Sequence, residues 1–285
     1  MVEEIDLVIT YVNNKDEVWK KAFIEYCISH NKRHYVVKMV KERYSGVNWI
    51  EYQLMLVKKN MPFIRKVFLV VSNIEQVKDL KLWDKVEVVT HDKFIPYRYL
   101  PTFNSTTIEM FLPFINGLSE KFIYANDDML PIKELKANDF FDKDKIRLNF
   151  IEEDFDECGS QFKWQCYQNC VSLREYFKKP KEFTFIRPYH TMTPMIKSHC
   201  IECYKALEKR ITRFISAFRT EYNNNQYIYP IYEKMKYGVA ESNIDFFYTE
   251  FRDLVDINHD IVCVNVERNK ENVNAFIKEL EKICE

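Results

Sequence analysis

The sequence predicts an α/β protein with a mainly parallel sheet that is flanked by helices on both faces. Two observations lead to this prediction. Short apolar runs typical of buried strands alternate with segments of helical periodicity through the first half of the chain. With 285 residues, of which 47% are hydrophobic and 30% charged, the chain also has the size and composition of an ordinary globular protein.

The predicted core elements alternate between strand and helix. Residues 5–12 are the first predicted strand, and Trp19 lies in the helix that follows. Asn48 with Glu51 begins a second helix, which stops before Pro62. The other predicted elements are strands at 67–71, 86–89 and 122–125, a short helix around 77–83, and a helix that Asn104 or Ser105 caps and Gly117 ends.

Changes in periodicity divide the chain into three predicted parts. Residues 1–132 form the α/β core, residues 133–260 an inserted, mostly helical lobe, and residues 261–285 a strand and helix that return to the core. The lobe contains the clearest helix, over residues 197–219, with one apolar stripe and other faces rich in Lys and Arg. A solvated surface is the default explanation of those charges, and an anionic substrate is the functional alternative.

Charge and glycine content narrow the functional classes. The 42 Lys and Arg balance 43 Asp and Glu, so no global charge indicates nucleic acid or a membrane as partner. Residues 5–12 lack the basic leader and length of a secretory signal, and we expect a cytoplasmic protein with reduced thiols. The four glycines form neither a Rossmann fingerprint nor a P-loop. Any phosphate group must therefore be bound by cations and isolated side chains.

Two adjacent carboxylates, Asp127 and Asp128, follow the predicted strand at 122–125. Ligands bind outside the carboxyl ends of the strands in open α/β sheets. Neighbouring carboxylates repel each other unless a proton or cation compensates, which favours Mg²⁺ as a partner. An Asn-Asp-Asp turn explains the same residues, since Asn and Asp dominate turns. On the doublet alone, the turn is the simpler interpretation.

The first two of four separated blocks resemble conserved regions of the Stealth family of sugar-phosphate transferases. Residues 5–19 are similar to the family motif Tyr-Thr-Trp-Val-Asp-Gly-Ser-Asp with its following Trp, although Asn13 replaces the first Asp of that motif and Asp16 retains the second. The second block is the strongest, and it runs from Arg43 to Met129.

The third and fourth blocks lie in the second half of the chain. The third resembles the family region with a functional histidine and a later Phe-Arg pair, found here as His190 and residues 218–219. The fourth is the weakest, because Val266 follows Asn265 where the family tends to have Asp.

The resemblance implies a GT-A-like fold and a UDP-sugar donor in the 1–132 core. It implies transfer of a hexose-1-phosphate, such as GlcNAc-1-phosphate, to an acceptor sugar hydroxyl with release of UMP, in bacterial capsule or surface-polysaccharide synthesis. Asp127 and Asp128 would bind Mg²⁺ or Mn²⁺, His190 would accept the hydroxyl proton, and Arg219 would stabilise the phosphoryl oxygens. The implied substrate-binding residues are Asn13, Asp16, Arg43, Asn104, Ser105, Glu109, Asn126 and Asn265.

Simpler roles and other activities remain open from the sequence. A single His before a helix is more often a cap or surface residue, Ser105 is explained by capping, and Glu109 by a solvated helix position. A conventional GT-A glycosyltransferase would release UDP. A catalytically impaired relative would bind a nucleotide-sugar or glycan without transfer, which the replacements at Asn13 and Val266 suggest. Peripheral association with the inner face of the membrane is a further possibility.

Overall fold

The computed structural model describes residues 4–36 and 47–284 of the chain. The described strands are β1 Ile5–Thr10, β2 Ile64–Val71, β3 Val86–Thr90, β4 Lys121–Asn126, β5 Met129–Pro131, β6 Phe141–Asp142, β7 Lys145–Ile146, β8 Phe150–Asp154, β9 Thr184–Pro188, β10 Thr193–Ile196, β11 Phe246–Thr249 and β12 Ile261–Val264. The described helices are α1 Glu17–Ser29, α2 Trp49–Asn60, α3 Ser105–Phe111, α4 Ala137–Phe140, α5 Gln161–Tyr176, α6 Lys197–Phe214, α7 Ile228–Lys236 and α8 Lys270–Cys284.

The central sheet has the strand order β10-β4-β1-β2-β3 within these described ranges. β1 pairs in parallel with β2 and β4, and β2 pairs in parallel with β3, whereas β10 is antiparallel to β4 at the edge. The predicted α/β fold with a mainly parallel, helix-flanked sheet is confirmed. Pro194 is accommodated in β10 because an edge strand can leave one side of its backbone unpaired.

The central strands are buried on both faces, as their alternating side chains require. On one face Val8 and Phe122 pack into the core that contains residues of α3, α5, α6 and α7. On the other face Leu7 and Ile123 pack against α2 through residues such as Leu54. Each helix layer therefore removes one apolar face of the sheet from water.

A smaller sheet has the strand order β11-β12-β5. Its strand β5 begins directly after the two adjacent aspartates. β12 pairs in parallel with β11 and antiparallel with β5. Strands from the segment 133–260 are thus hydrogen-bonded to both sheets, through β10 and β11. The division of the chain at 132 and 260 stays a prediction. None of the described helices is long and apolar enough to cross a membrane.

Three predicted helices differ from the structure. The helix expected to end at Gly117 ends at Phe111 and is followed by a 3₁₀ turn at Leu112–Phe114. The helix expected over 77–83 is a 3₁₀ turn at Ile74–Val77, which Asn73 caps by accepting a hydrogen bond from the backbone N–H of Glu75. The helix expected over 197–219 ends at Phe214. Beyond it the chain is tied to the start of α3, because the carbonyl of Ser216 accepts hydrogen bonds from Asn104 and Thr107. Because the helix ends at Phe214, the segment after it places Arg219 at the carboxyl ends of the central strands.

Candidate active site

A cavity of about 890 Å³ opens at the carboxyl ends of β1, β2 and β4. This is the edge at which open α/β sheets bind ligands. Side chains from the core and from the segment 133–260 line it together. The predicted site residues in its wall are Ser105, Glu109, Asn126, Asp127, Asp128, His190, Arg219 and Asn265.

Asp127 and Asp128 form the turn between β4 and β5, and they also face the cavity. The buried side chain of Gln53 in α2 fixes this turn from behind: its Nε2 donates to the carbonyls of Asn126 and Met129, at 2.7 Å each. The predicted Asn-Asp-Asp turn is therefore present, and the carboxylates of this turn line the cavity.

The two carboxylates lack a neutralising partner in the part of the chain that the structure describes. Burial raises the pKa of both groups, and the charge of Asp127 raises the pKa of Asp128 further. Neither forms an ion pair with a Lys, Arg or His of residues 4–36 or 47–284, and the Cys263 thiol lies 3.9 Å from Oδ1 of Asp128. A divalent cation would relieve this repulsion.

His190 lies between β9 and β10, with its Nδ1 2.7 Å from the Tyr227 hydroxyl. Burial lowers the pKa of His190 to about 4, and the positive charges of Arg187 and Arg219 contribute to this shift. The imidazole is therefore neutral at pH 7. Burial also raises the pKa of Tyr227 well above its ordinary value, so its phenol stays protonated. In the tautomer that donates from Nδ1 to Tyr227, Nε2 is free to accept a proton.

Arg219 is held at the cavity wall by the first turn of α3. Its guanidinium donates a hydrogen bond to the Ser105 hydroxyl. Nearby Glu109 is only 6% exposed and accepts a hydrogen bond of 3.0 Å from the backbone N–H of Gln226. Burial raises the pKa of Glu109, and the charge of Arg219 opposes that rise. The arginine thus presents a positioned, planar donor group to the cavity.

Asp16 and Asn13 do not line the cavity. Asp16 caps α1 by accepting hydrogen bonds from the backbone N–H groups of Val18 and Trp19, and Asn73 donates to it at 2.9 Å. Burial alone would raise the pKa of Asp16, but these donors outweigh burial and hold it below the ordinary value. The Asn13 side chain accepts from the backbone N–H of Lys15. Both residues shape the first loop from behind the cavity wall.

Asn104 is fully buried and also lies outside the cavity wall. Its side chain caps α3 by accepting from the N–H of Thr106, and it donates to the Ser216 carbonyl and to Asn223. It therefore joins α3 to the segment that contains Arg219. The basic residues of α6 are likewise absent from the wall of this cavity. Predicted Arg43 lies outside the described residues.

Several residues that line or support the cavity were not predicted from the sequence. Arg187 and Tyr227 are close to His190, and Gln53 supports the aspartate turn, yet Gln53 lies 73 residues from Asn126 along the chain. Contacts between residues so far apart along the chain leave no recognisable pattern in the local sequence. The other aromatic or cationic residues of the wall that sequence analysis passed over include Tyr11, His91, Phe162, Lys163, Tyr189, Phe246 and Tyr248.

Comparison with known proteins yields one family and a consistent set of relatives. The family description Stealth protein CR2, conserved region 2, matches residues 43–149, which include the strongest block of the sequence. A capsular polysaccharide phosphotransferase of Aeromonas hydrophila is 31% identical over 233 residues, or 78% of this chain and 62% of that protein. One of Actinobacillus suis is 35% identical over 152 residues, or 53% and 41%. One of Streptococcus pneumoniae is 27% identical over 265 residues, or 90% and 75%. The chain spans less than two thirds of the length of the first two.

Proposed function

The chain belongs to the Stealth family, and from this premise we propose that it transfers a sugar-1-phosphate from a UDP-sugar to a sugar hydroxyl in bacterial capsule or surface-polysaccharide synthesis. UMP is the second product. The reaction takes place in the cytoplasm, next to the membrane. Similarity to proteins named capsular polysaccharide phosphotransferases supports the reaction class.

One observation contributes most to this proposal: a single cavity contains Asp127, Asp128, His190 and Arg219, which come from distant parts of the chain. Phosphoryl transfer requires charge neutralisation on the phosphate oxygens and a base for the attacking hydroxyl. The cavity offers both kinds of group.

In the proposed step, the acceptor hydroxyl oxygen attacks the phosphorus that bears the donor sugar. The bond between this phosphorus and the oxygen bridging to the second phosphate breaks, and UMP leaves with that oxygen. The hydroxyl proton moves to Nε2 of neutral His190 while Nδ1–H donates to Tyr227. Arg219 donates to the non-bridging oxygens of the transferred group.

The cavity residues fit a hard divalent cation. Asp127 and Asp128 would hold Mg²⁺ or Mn²⁺, because they are adjacent, recessed carboxylates without an ion-pair partner among the described residues. Residues 4–36 and 47–284 contain no cluster of three or more His, Cys, Asp or Glu suited to a metal. Water and the donor diphosphate would supply the remaining ligands, as is common for Mg²⁺. When bound, the ion neutralises charge on the diphosphate.

The two residues that suggested an impaired enzyme do not line this cavity, although their neighbours Val12 and Asn265 do. The cavity nevertheless contains Asp127, Asp128, His190 and Arg219. The presence of these four groups favours an active transferase over a protein that only binds a nucleotide-sugar.

Identification of the released nucleotide tests the proposal. The chain is incubated with UDP-GlcNAc and other UDP-sugars, Mg²⁺ and glycan acceptors, and the nucleotides are separated by ion-exchange chromatography. We expect UMP, whereas UDP would indicate a glycosyltransferase. His190→Ala should abolish turnover but retain UDP-sugar binding. His34→Ala, at an exposed histidine outside the cavity wall, is the matched control.

A further inference from the structure

We propose that four aromatic side chains at one side of the cavity, Phe162, Tyr189, Phe246 and Tyr248, form the binding site for the terminal sugar ring of the glycan acceptor. We call these four residues the aromatic rim. The inference rests on the proposed function, since it assigns one substrate of that reaction to one part of the cavity.

The first part of the aromatic rim is built on β11. Phe246 and Tyr248 are two residues apart in this strand, so their side chains project from the same face of the small sheet, and both line the cavity. Tyr189, which precedes His190, packs against Phe246 with 4.9 Å between ring centroids. The Tyr248 ring lies 6.1 Å from the imidazole of His190.

Phe162 completes the aromatic rim from α5. Its ring centroid is 6.0 Å from that of Tyr227, which contacts His190 through its hydroxyl. The Arg187 guanidinium lies 5.8 Å from the Phe162 ring. Tyr248 on β11 therefore lies directly beside the proposed base, and Phe162 on α5 is connected to it through Tyr227.

Two members of the aromatic rim are unusually accessible for large aromatic side chains. Phe162 is 39% exposed and Tyr248 is 43% exposed, and both line the cavity. Exposed aromatic surface that faces a cavity is characteristic of ligand-binding sites. Sugar rings present apolar C–H faces that pack on aromatic rings, while their hydroxyl groups stay available to polar partners.

The position of His190 favours the acceptor as the occupant. A general base must lie within hydrogen-bond reach of the hydroxyl that it deprotonates, so the acceptor ring has to sit beside the imidazole. The groups suited to the donor diphosphate are Asp127, Asp128 and Arg219. The cavity wall also includes Thr10 and Val70 at the ends of β1 and β2 in the central sheet, whereas Phe246 and Tyr248 lie on the smaller sheet. We therefore assign the nucleotide to the central-sheet side of the cavity.

The matched variants are Tyr248→Ala and Phe162→Ala, which remove a ring, and Tyr248→Phe, which retains the ring without the hydroxyl. Phe183→Ala is the control, because Phe183 is 77% exposed and is not in the cavity wall. Turnover is measured against acceptor concentration, and UDP-sugar binding is measured separately by calorimetry. The acceptors are short oligosaccharides ending in glucose, galactose or N-acetylglucosamine.

We expect Tyr248→Ala and Phe162→Ala to raise the acceptor KM at least tenfold and to leave the Kd for the UDP-sugar within twofold of wild type. Tyr248→Phe should stay within threefold of wild type in acceptor KM. A weakened UDP-sugar Kd with unchanged acceptor KM would overturn the proposal and assign the aromatic rim to the donor. Unchanged values of both would also overturn it.

A binding measurement separates this inference from the proposed function. Saturation-transfer NMR detects contact between the oligosaccharides and the wild-type chain without any donor. One outcome is that the wild-type chain binds the oligosaccharide, Tyr248→Ala abolishes this binding, and no UMP is released. This outcome would support the aromatic rim and refute the proposed transferase activity. UMP release with acceptor contact that is unaffected by Tyr248→Ala would refute the aromatic rim alone. Absence of oligosaccharide contact with the wild-type chain would overturn the aromatic rim.

Discussion

Replacing Asp128 with Asn should stabilise the metal-free protein while it removes metal-dependent stabilisation. The folded-state pKa of Asp128 is raised by burial and by Asp127. A group with a raised folded pKa favours folding at low pH, where it is protonated in both states, and this advantage is lost as pH rises through the folded pKa. At pH 8 Asp127 is ionised in the wild type and Asp128 begins to lose its proton beside it. Asp128→Asn removes the cost of this second charge.

The size of this effect follows from the linkage between pKa and stability. One unit of pKa shift corresponds to about 1.4 kcal/mol, so the raised pKa of Asp128 sets an upper limit well above ~2 kcal/mol. Because the recessed Asn amide is itself desolvated, we expect Asp128→Asn to recover only part of this and to raise the free energy of unfolding by about 2 kcal/mol at pH 8. For a domain of this size, that gain corresponds to a rise in Tm of about 4 °C. The gain should shrink towards pH 5, because the wild-type pair then retains protons. At 100 times its Kd, Mg²⁺ should stabilise the wild type by about 2.7 kcal/mol, and the variant by much less.

Thermal denaturation of wild type and variant, with and without Mg²⁺ at pH 8 and pH 5, measures the gain from Asp128→Asn at each pH and the Mg²⁺ stabilisation of each protein. Asp144→Asn is the matched control, because Asp144 is exposed and outside the cavity wall, so neither pH nor Mg²⁺ should discriminate it from wild type. An Asp128→Asn variant that is less stable than wild type at pH 8 without metal would refute the repulsion argument. Equal Mg²⁺ stabilisation of wild type and variant would refute the assigned metal ligands.

Three further substitutions test the base, the anion-binding group and the core. Tyr227→Phe removes the hydroxyl that orients His190, and kcat should fall about tenfold with donor Kd unchanged in steady-state and binding assays; unchanged kcat would exclude this positioning role. Arg219→Lys retains the positive charge but loses the planar guanidinium, and it should lower kcat/KM about 100-fold. Initial rates at the wild-type level would contradict this role. Asp6→Ala removes two of the hydrogen bonds of the Arg65 guanidinium and leaves the one to the Gly117 carbonyl. This should cost about 2–3 kcal/mol in urea denaturation, with activity retained at low temperature. A smaller loss would show that solvent replaces the pair.

The central strands were predictable because each is a short, continuous run of apolar residues. Residues of β1, β2 and β4 are apolar on both faces, and the structure buries both faces. The edge strands β10 and β11 were harder to predict from the sequence. β10 contains Pro194 and has only four residues, and β11 presents its aromatic residues partly to the cavity. Neither has the continuous apolar run that marks a buried strand.

The end of α6 was missed for a different reason. The apolar spacing continues to Phe218, but that side chain packs against Trp19 and Phe23 in a separate cluster and is not on the helix. Hydrogen bonds from Asn104 and Asn223 to the carbonyls of residues 214–216 replace the helical ones. Tertiary partners more than 100 residues away, such as Asn104, therefore override the local period.

The site shows how far local patterns extend. The position of Asp127 after a buried strand correctly indicated the cavity edge, because strand ends meet there. Asp16 and Asn104 are instead occupied as helix caps, a role that their residue types and positions before helices also favour. Tyr227 and Gln53 act through contacts that only the folded chain creates.

The fate of the phosphorus next to the donor sugar tests the central claim most directly. The donor is a UDP-sugar labelled with ³²P at the phosphate attached to the sugar, and it is supplied with Mg²⁺ and an oligosaccharide acceptor. We predict that the label appears in the oligosaccharide as a phosphodiester, while the released UMP is unlabelled. Label that remains in UDP, with an unlabelled extended glycan, would contradict the account.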